Sequence, residues 1–160
     1  MKVQPITMTS STQVSAVAHS EAQNKFTSMV TMQAPVLDDV QRAPIDLILV
    51  VDRSGSMAGR MDLVIQTIEF CISQLQEKDG LAIVDYDDRV TTLLTLTKMD
   101  AIGRKTAVAQ AKRLTPRGCT NLSGGLFKGM QLAGTRDAAT KNEIASVLLF
   151  TDGMANAGIT

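Results

Sequence analysis

The run IDLILVV, residues 45–51, constrains the fold more than any other stretch of the chain. It has the length of a strand and almost no polar interruption, the signature of a strand buried on both faces, and such strands belong mostly to parallel sheets covered by helices. Asp52 ends the run abruptly and RSGSM follows. Met61, Val64, Ile65, Ile68, Cys71, Ile72 and Leu75 then recur at spacings of three and four, which predicts an amphipathic helix over 61–77 with Gln66, Glu69 and Gln76 outward. The order is strand, loop, helix.

LAIVDYD, residues 81–87, reads as a second buried strand. RVTTLLTLT begins after only Asp88, too soon for a crossover, so these two strands should pair as a hairpin with the third strand an antiparallel edge. Residues 100–114 read as a helix with Ile102, Val108, Ala111 and Leu114 inward and its basic side chains on a solvated face. A third helix, LSGGLFKGMQLAG, carries interior glycines that cost about 1 kcal/mol each relative to alanine, so close packing against the sheet is expected. ASVLLFTDG repeats the opening theme, a buried aliphatic strand followed by Asp152. The expectation is an α/β, Rossmann-like three-layer sandwich with a mainly parallel central sheet and one antiparallel edge strand. Ligands bind such sheets beyond the carboxyl ends of the strands, where strand order reverses. If the strands carrying Asp52 and Asp152 are neighbours, their carboxylates converge there.

A chain of 160 residues with 44% hydrophobic content can bury one sizeable core, expected over 45–160, with residues 1–44 as an extension holding one or two strands and a linker. Sixteen basic against sixteen acidic residues leave no long-range field, which disfavours nucleic acid as a partner. The longest apolar runs are too short for a bilayer, so no membrane insertion is expected. Cys71 and Cys119 form no disulfide framework, and free thiols suit a soluble, cytoplasmic protein. His19, the single histidine, sits in a small, polar stretch and reads as solvated surface. Asp85, Asp87 and Asp88 in DYDD read as a solvated turn, with support of a nearby site as the alternative.

Asp52, Ser54 and Ser56 occupy alternate positions on one loop and can aim oxygens at a common point. Oxygen donors without histidine or thiolate suit a hard divalent cation. An anionic ligand entering an open coordination position would be attracted at short range. The loop also has a structural explanation, since serine and aspartate before a helix are ordinary caps.

Three separated motifs resemble one family. DxSxS at Asp52, Ser54 and Ser56, the threonine loop GCTNL with Thr120, and the fourth-strand aspartate Asp152 in FTDG resemble the von Willebrand factor type A domains and their metal-ion-dependent adhesion site. The resemblance covers about residues 45–160. It implies Ser54 and Ser56 as direct ligands of Mg2+ or Mn2+, ahead of Ca2+; Asp52 and Asp152 as charge-balancing, water-orienting residues; and Thr120 as the ligand that switches with the state of the site. It also implies a partner protein that supplies a carboxylate. The phrasing RAPIDLILVVDRSGSM is similar to intracellular or bacterial-type members, some carrying a ubiquitin-ligase RING, in which a preceding segment contributes strands to a companion β-sandwich. No RING cysteine and histidine array exists in this sequence. Gly55 and Gly118 are expected to permit tight loop turns. The family fold has two further strand and helix units, about 30 residues each by the size of such a repeat. The chain therefore reads as a C-terminally truncated domain of four strands, incomplete at its end, with the strand ending at Phe150 an open edge.

An enzyme is the competing class. A phosphoaspartyl hydrolase would want a carboxylate where Ser54 stands, and neither GxxxxGK[ST] nor GxSxG occurs. Metal-assisted hydrolysis has no evident general base. A metal-independent scaffold or inert fragment is the third reading.

Overall fold

The computed structural model describes residues 7–12, 27–33, 42–153 and 155–159. The chain divides into two units, Met1–Arg42 and Ala43–Thr160. In the first, β1 (Thr7–Thr12) and β2 (Ser28–Gln33) pair antiparallel, with Thr7 opposite Gln33 and Thr12 opposite Ser28. His19 lies outside the described residues.

The second unit is built from β3 (Ile45–Asp52), a short 3-10 turn (Gly55–Gly59), α1 (Met61–Gln74), β4 (Gly80–Tyr86), β5 (Val90–Lys98), α2 (Ala101–Ala111), α3 (Leu122–Gly134) and β6 (Ile144–Phe150). The sheet order is β5-β4-β3-β6. β3 runs parallel to both β4 and β6, whereas β5 is antiparallel to β4 at the edge. β3 is thus flanked on two sides and covered on two faces, which explains its unbroken aliphatic run. Leu47, Leu49 and Val51 pack on Val64, Ile68 and Ile72 of α1, while Ile48 and Val50 share the opposite core with Val84 and Tyr86 beneath α3. This is the α/β, Rossmann-like mixed sheet that the alternation of elements predicted. The chain leaves β3 toward β4 and later returns to its other side as β6, so the strand order reverses at the carboxyl ends of β3 and β6.

Four details depart from expectation. β6 is not a buried strand: Ile144 and Leu148 are 46% and 42% exposed, because among the described residues β6 ends the sheet and α3 meets it mainly through Val147. In α2, Ile102 points outward and the buried face is Gly103, Ala107 and Ala111. Small residues are needed there because a side chain at Gly103 would run into the Lys98 carbonyl. Arg104 is not on a solvated face; its guanidinium donates to the carbonyls of Ile72 and Leu75 and so caps the carboxyl end of α1. α1 ends at Gln74, three residues before the predicted end, where Leu75 turns extended and the Asp79 carboxylate accepts from the Gln76 amide at 2.6 Å.

The glycines of α3 do mark close packing. A Cβ on Gly125 would overlap the ring of Tyr86, and one on Gly129 would overlap Val50. Gly125→Ala should therefore destabilise the protein: overpacking costs about 1–3 kcal/mol, more than the roughly 1 kcal/mol of helix propensity gained. Urea unfolding with an unchanged slope and a lower midpoint is the expected result. A raised midpoint would mean that the buried Tyr86 ring can move aside.

Candidate metal centre

Asp52 is the last residue of β3 and is fully buried. One carboxylate oxygen accepts from the Ser54 amide at 2.9 Å and the other from the Thr151 hydroxyl, also at 2.9 Å. The first bond folds the chain back on itself and sets the direction of the serines; the second ties β3 to the residue just beyond β6. Val51 lies opposite Phe150 in the register, so the pairing of β3 with β6 delivers Asp152 to the end of the sheet where Asp52 sits. The neighbourhood that sequence spacing left open is therefore realised.

Ser54 is buried and Ser56 exposed, with their hydroxyls 3.0 Å apart. Ser54 flanks the 3-10 turn at its amino end but makes no side-chain capping bond. Capping therefore does not account for the serine pair.

Thr120 arrives on the loop before α3 and is buried. That loop is tied to the serine loop at two points: the Gly55 amide donates to the Gly118 carbonyl at 3.1 Å, and the Arg117 amide donates to the Arg53 carbonyl at 2.7 Å. Gly118 has φ +70° and a side chain there would strike Asp88, so glycine is required. Gly55 has no such need, since a Cβ there would meet only the Gly118 carbonyl at 3.6 Å.

Three features around these residues go beyond the sequence reading, which named the DYDD aspartates but none of the partners found here. The first is an ion cluster. Arg53 Nε lies 2.7 Å from Asp85 Oδ2 and 3.2 Å from Asp87 Oδ2, and Arg117 Nε donates to Asp87 at 2.7 Å. Asp85 and Asp87 are each 1% exposed, so DYDD is not a solvated turn; only Asp88 faces water. Burial pushes the Asp85 carboxyl up, offset in part by Arg53. Burial acts the same way on Asp87, but hydrogen bonds from the Arg89 amide and Arg117, with the nearby Arg53 charge, hold its carboxyl below the ordinary range. The second is Tyr86, opposite Asp52 in the β3–β4 register. Its hydroxyl is buried against Thr151 and Asp52 without a well-formed hydrogen bond, and burial, with the charges of Asp52 and Asp152, pushes it up to about 12. The third is Arg60, whose exposed guanidinium lies 3.4 Å from Asp152. Their partners lie far away along the chain, and no local pattern announces them.

Asp52, Ser54 and Ser56 are joined on one loop, and the segments carrying Thr120 and Asp152 reach the same carboxyl end of the sheet through the Gly55–Gly118 bond and the β3–β6 register. Among the described residues no three His, Cys, Asp or Glu side chains gather as a metal site. A cation held here would depend on hydroxyls and retained waters, as Mg2+ tolerates with few carboxylates. The buried Tyr86 hydroxyl beside Asp52 adds an unsatisfied polar group of the kind a bound ion's water can meet. The donor set fits a hard divalent ion.

The sequence model of the von Willebrand factor type A domain matches residues 47–155. The chain belongs to that family. Among curated relatives, the vWA chain is 36% identical over 120 residues to E3 ubiquitin-protein ligase WAV3 of Arabidopsis thaliana, covering 74% of this chain and 16% of the ligase. It is 31% identical over 122 residues to inter-alpha-trypsin inhibitor heavy chain H3 of Rattus norvegicus, covering 72% of this chain and 14% of that protein. This chain therefore spans less than a fifth of these relatives. Among solved structures, the vWF domain of the type V pili tip protein Mfa5 from Porphyromonas gingivalis superposes with a TM-score of 0.61 at 24% identity, covering 71% of this chain and 39% of that one, a likeness of fold. No helix among the described residues is long and apolar enough to cross a membrane.

Proposed function

We propose that this vWA domain is a protein-interaction module that recognises an acidic residue of its partner through a divalent cation. Family membership supports the interaction role; the cation dependence rests on one observation, the pair of uncapped serine hydroxyls beside the buried Asp52. Ser54 and Ser56 would hold Mg2+ or Mn2+ directly, Asp52 and Asp152 would orient its waters and balance its charge, and Thr120 would approach from the facing loop. The cation supplies a Lewis-acidic position for a partner's carboxylate. Two carboxylates, the Arg60 guanidinium and a dication leave the site net positive, so an anionic side chain is drawn to it and the Arg60 charge at the rim strengthens the attraction. Free Cys71 and Cys119 accord with work inside the cell.

The ligase name belongs to a protein of which this chain spans 16%, and we read the chain as a binding rather than a catalytic part. Calorimetric titration of Mg2+ and Mn2+ into the purified chain tests the reading. Asp52→Ala, which removes an outer-shell partner, should weaken binding by about 10–100-fold, and Ser54→Ala, which removes a direct ligand, by at least as much. Metal binding that both substitutions leave intact would remove these residues from the site, and partner binding indifferent to a chelator would favour the metal-independent scaffold.

A further inference from the structure

We propose that Asn156 is a positioning residue that clamps Thr120 in the cation site; this rests on the site reading above. The Thr120 amide donates to the Asn156 side-chain carbonyl at 2.7 Å, and the Thr120 carbonyl accepts from the amides of Asn156 and Ala157 at 3.2 and 3.1 Å. One short segment therefore engages both backbone polar groups of Thr120, which fixes the plane from which its hydroxyl projects. The same segment continues across the start of α3. Gly158 has φ +82°, and a side chain there would collide with Asn121 and Ser123; the Ile159 amide then donates to the Ser123 hydroxyl at 2.9 Å. Asn121 is itself the cap of α3, accepting from the Gly124 amide at 2.9 Å.

Asp152 lies four positions before Asn156. The chain that delivers the fourth-strand carboxylate thus also grips the threonine on the opposite arm, so the two arms of the site are set by one connection. A side chain that orients a ligand through its backbone has the effect of an outer-shell partner, whose loss weakens metal binding about 10–100-fold. Asn156 is exposed, so its truncation removes the side-chain bond to the Thr120 amide without opening a cavity, while the two backbone bonds to the Thr120 carbonyl remain.

The test compares Asn156→Ala with Asn156→Asp, which keeps an oxygen to accept from the Thr120 amide. Mg2+ affinity by calorimetry is read beside hydrogen exchange at the Thr120 amide without metal. Asn156→Ala should bind about 10-fold more weakly or worse and speed Thr120 exchange, while Asn156→Asp keeps both near wild type. Unchanged affinity in Asn156→Ala, with binding lost in Asp52→Ala, overturns the clamp and leaves the site standing. Equal losses in Asn156→Asp overturn it too, because the acceptor would then not be what matters. Binding that survives Asp52→Ala takes down the site reading and the clamp with it.

Discussion

Arg53→Met is expected to lower the free energy of unfolding by about 3–5 kcal/mol, the cost of leaving a buried charge without its partner. Methionine keeps an apolar stem reaching about as far as Nε and lacks the guanidinium, so the loss reports chiefly the charge and its ion pairs. Among the described residues Arg53 is the only cation in contact with Asp85, and one Asp85 carboxylate oxygen is buried without a hydrogen-bond partner there even in the intact protein. Asp87 fares better, because Arg117 and the Arg89 amide remain. The double variant Arg53→Met with Asp85→Asn should recover more than half of the loss, since neutralising both members removes the uncompensated charge. The penalty of the single variant should also shrink in acid. Burial raises the Asp85 carboxyl in the folded state, so protonation there relieves the stranded charge as pH falls through that raised value. Asp87 acts in the opposite sense: its depressed carboxyl stabilises the fold above the ordinary carboxylate value of about 3.9, and that contribution fades as pH falls through the lowered one. Chemical denaturation at neutral pH and near pH 4 measures the Asp85 effect, and a further series below the ordinary carboxylate range measures the Asp87 one. A single-variant cost below about 1 kcal/mol, within the range of surface pairs, would mean that water reaches the cluster.

The ion cluster also shows why parts of this fold were readable in the sequence and parts were not. β3, β4 and α1 declare themselves through local periodicity, and the one-residue gap before Arg89 was enough to expect the β4–β5 hairpin. The candidate site was legible for a related reason: Asp52 and Asp152 each follow a strand-length aliphatic run, and parallel pairing of those runs is sufficient to bring them to one place. Burial of Asp85 and Asp87 had no such signal. Their partners, Arg53 and Arg117, stand on loops tens of residues away, and the acidic run DYDD has the same composition whether it is solvated or enclosed. Arg104 was misread for the same reason, because its acceptors are carbonyls at the end of another helix. Asn156 is more instructive. It acts through two hydrogen bonds to the backbone of Thr120, joined by a third from the Ala157 amide, a relation that leaves no mark on the pattern of residue types.

Asp46→Ala should destabilise the protein by a similar amount, about 3–5 kcal/mol, while leaving the metal affinity of the folded protein unchanged. Asp46 is fully buried near the start of β3 and gathers the far end of the fold. It accepts from Arg136 Nη1 at 2.7 Å, from the Asn142 amide at 2.8 Å and from the Asn142 side-chain nitrogen at 2.8 Å, with Lys98 Nζ at 3.8 Å. These bonds lock the connection between α3 and β6 onto β3, so they help to set the register that places Asp152 beside Asp52. Yet Asp46 lies six residues from Asp52 along the strand, about 20 Å at 3.3 Å per residue, too far to touch a bound ion. Truncation strands the Arg136 guanidinium, which is only 12% exposed. The expected result is a much lower denaturation midpoint with Mg2+ titrations at low temperature matching the wild type. Weaker metal binding in the folded Asp46→Ala protein would show instead that β6 slides on β3 when its far anchor is cut, and that the geometry of the site depends on the whole length of that pairing.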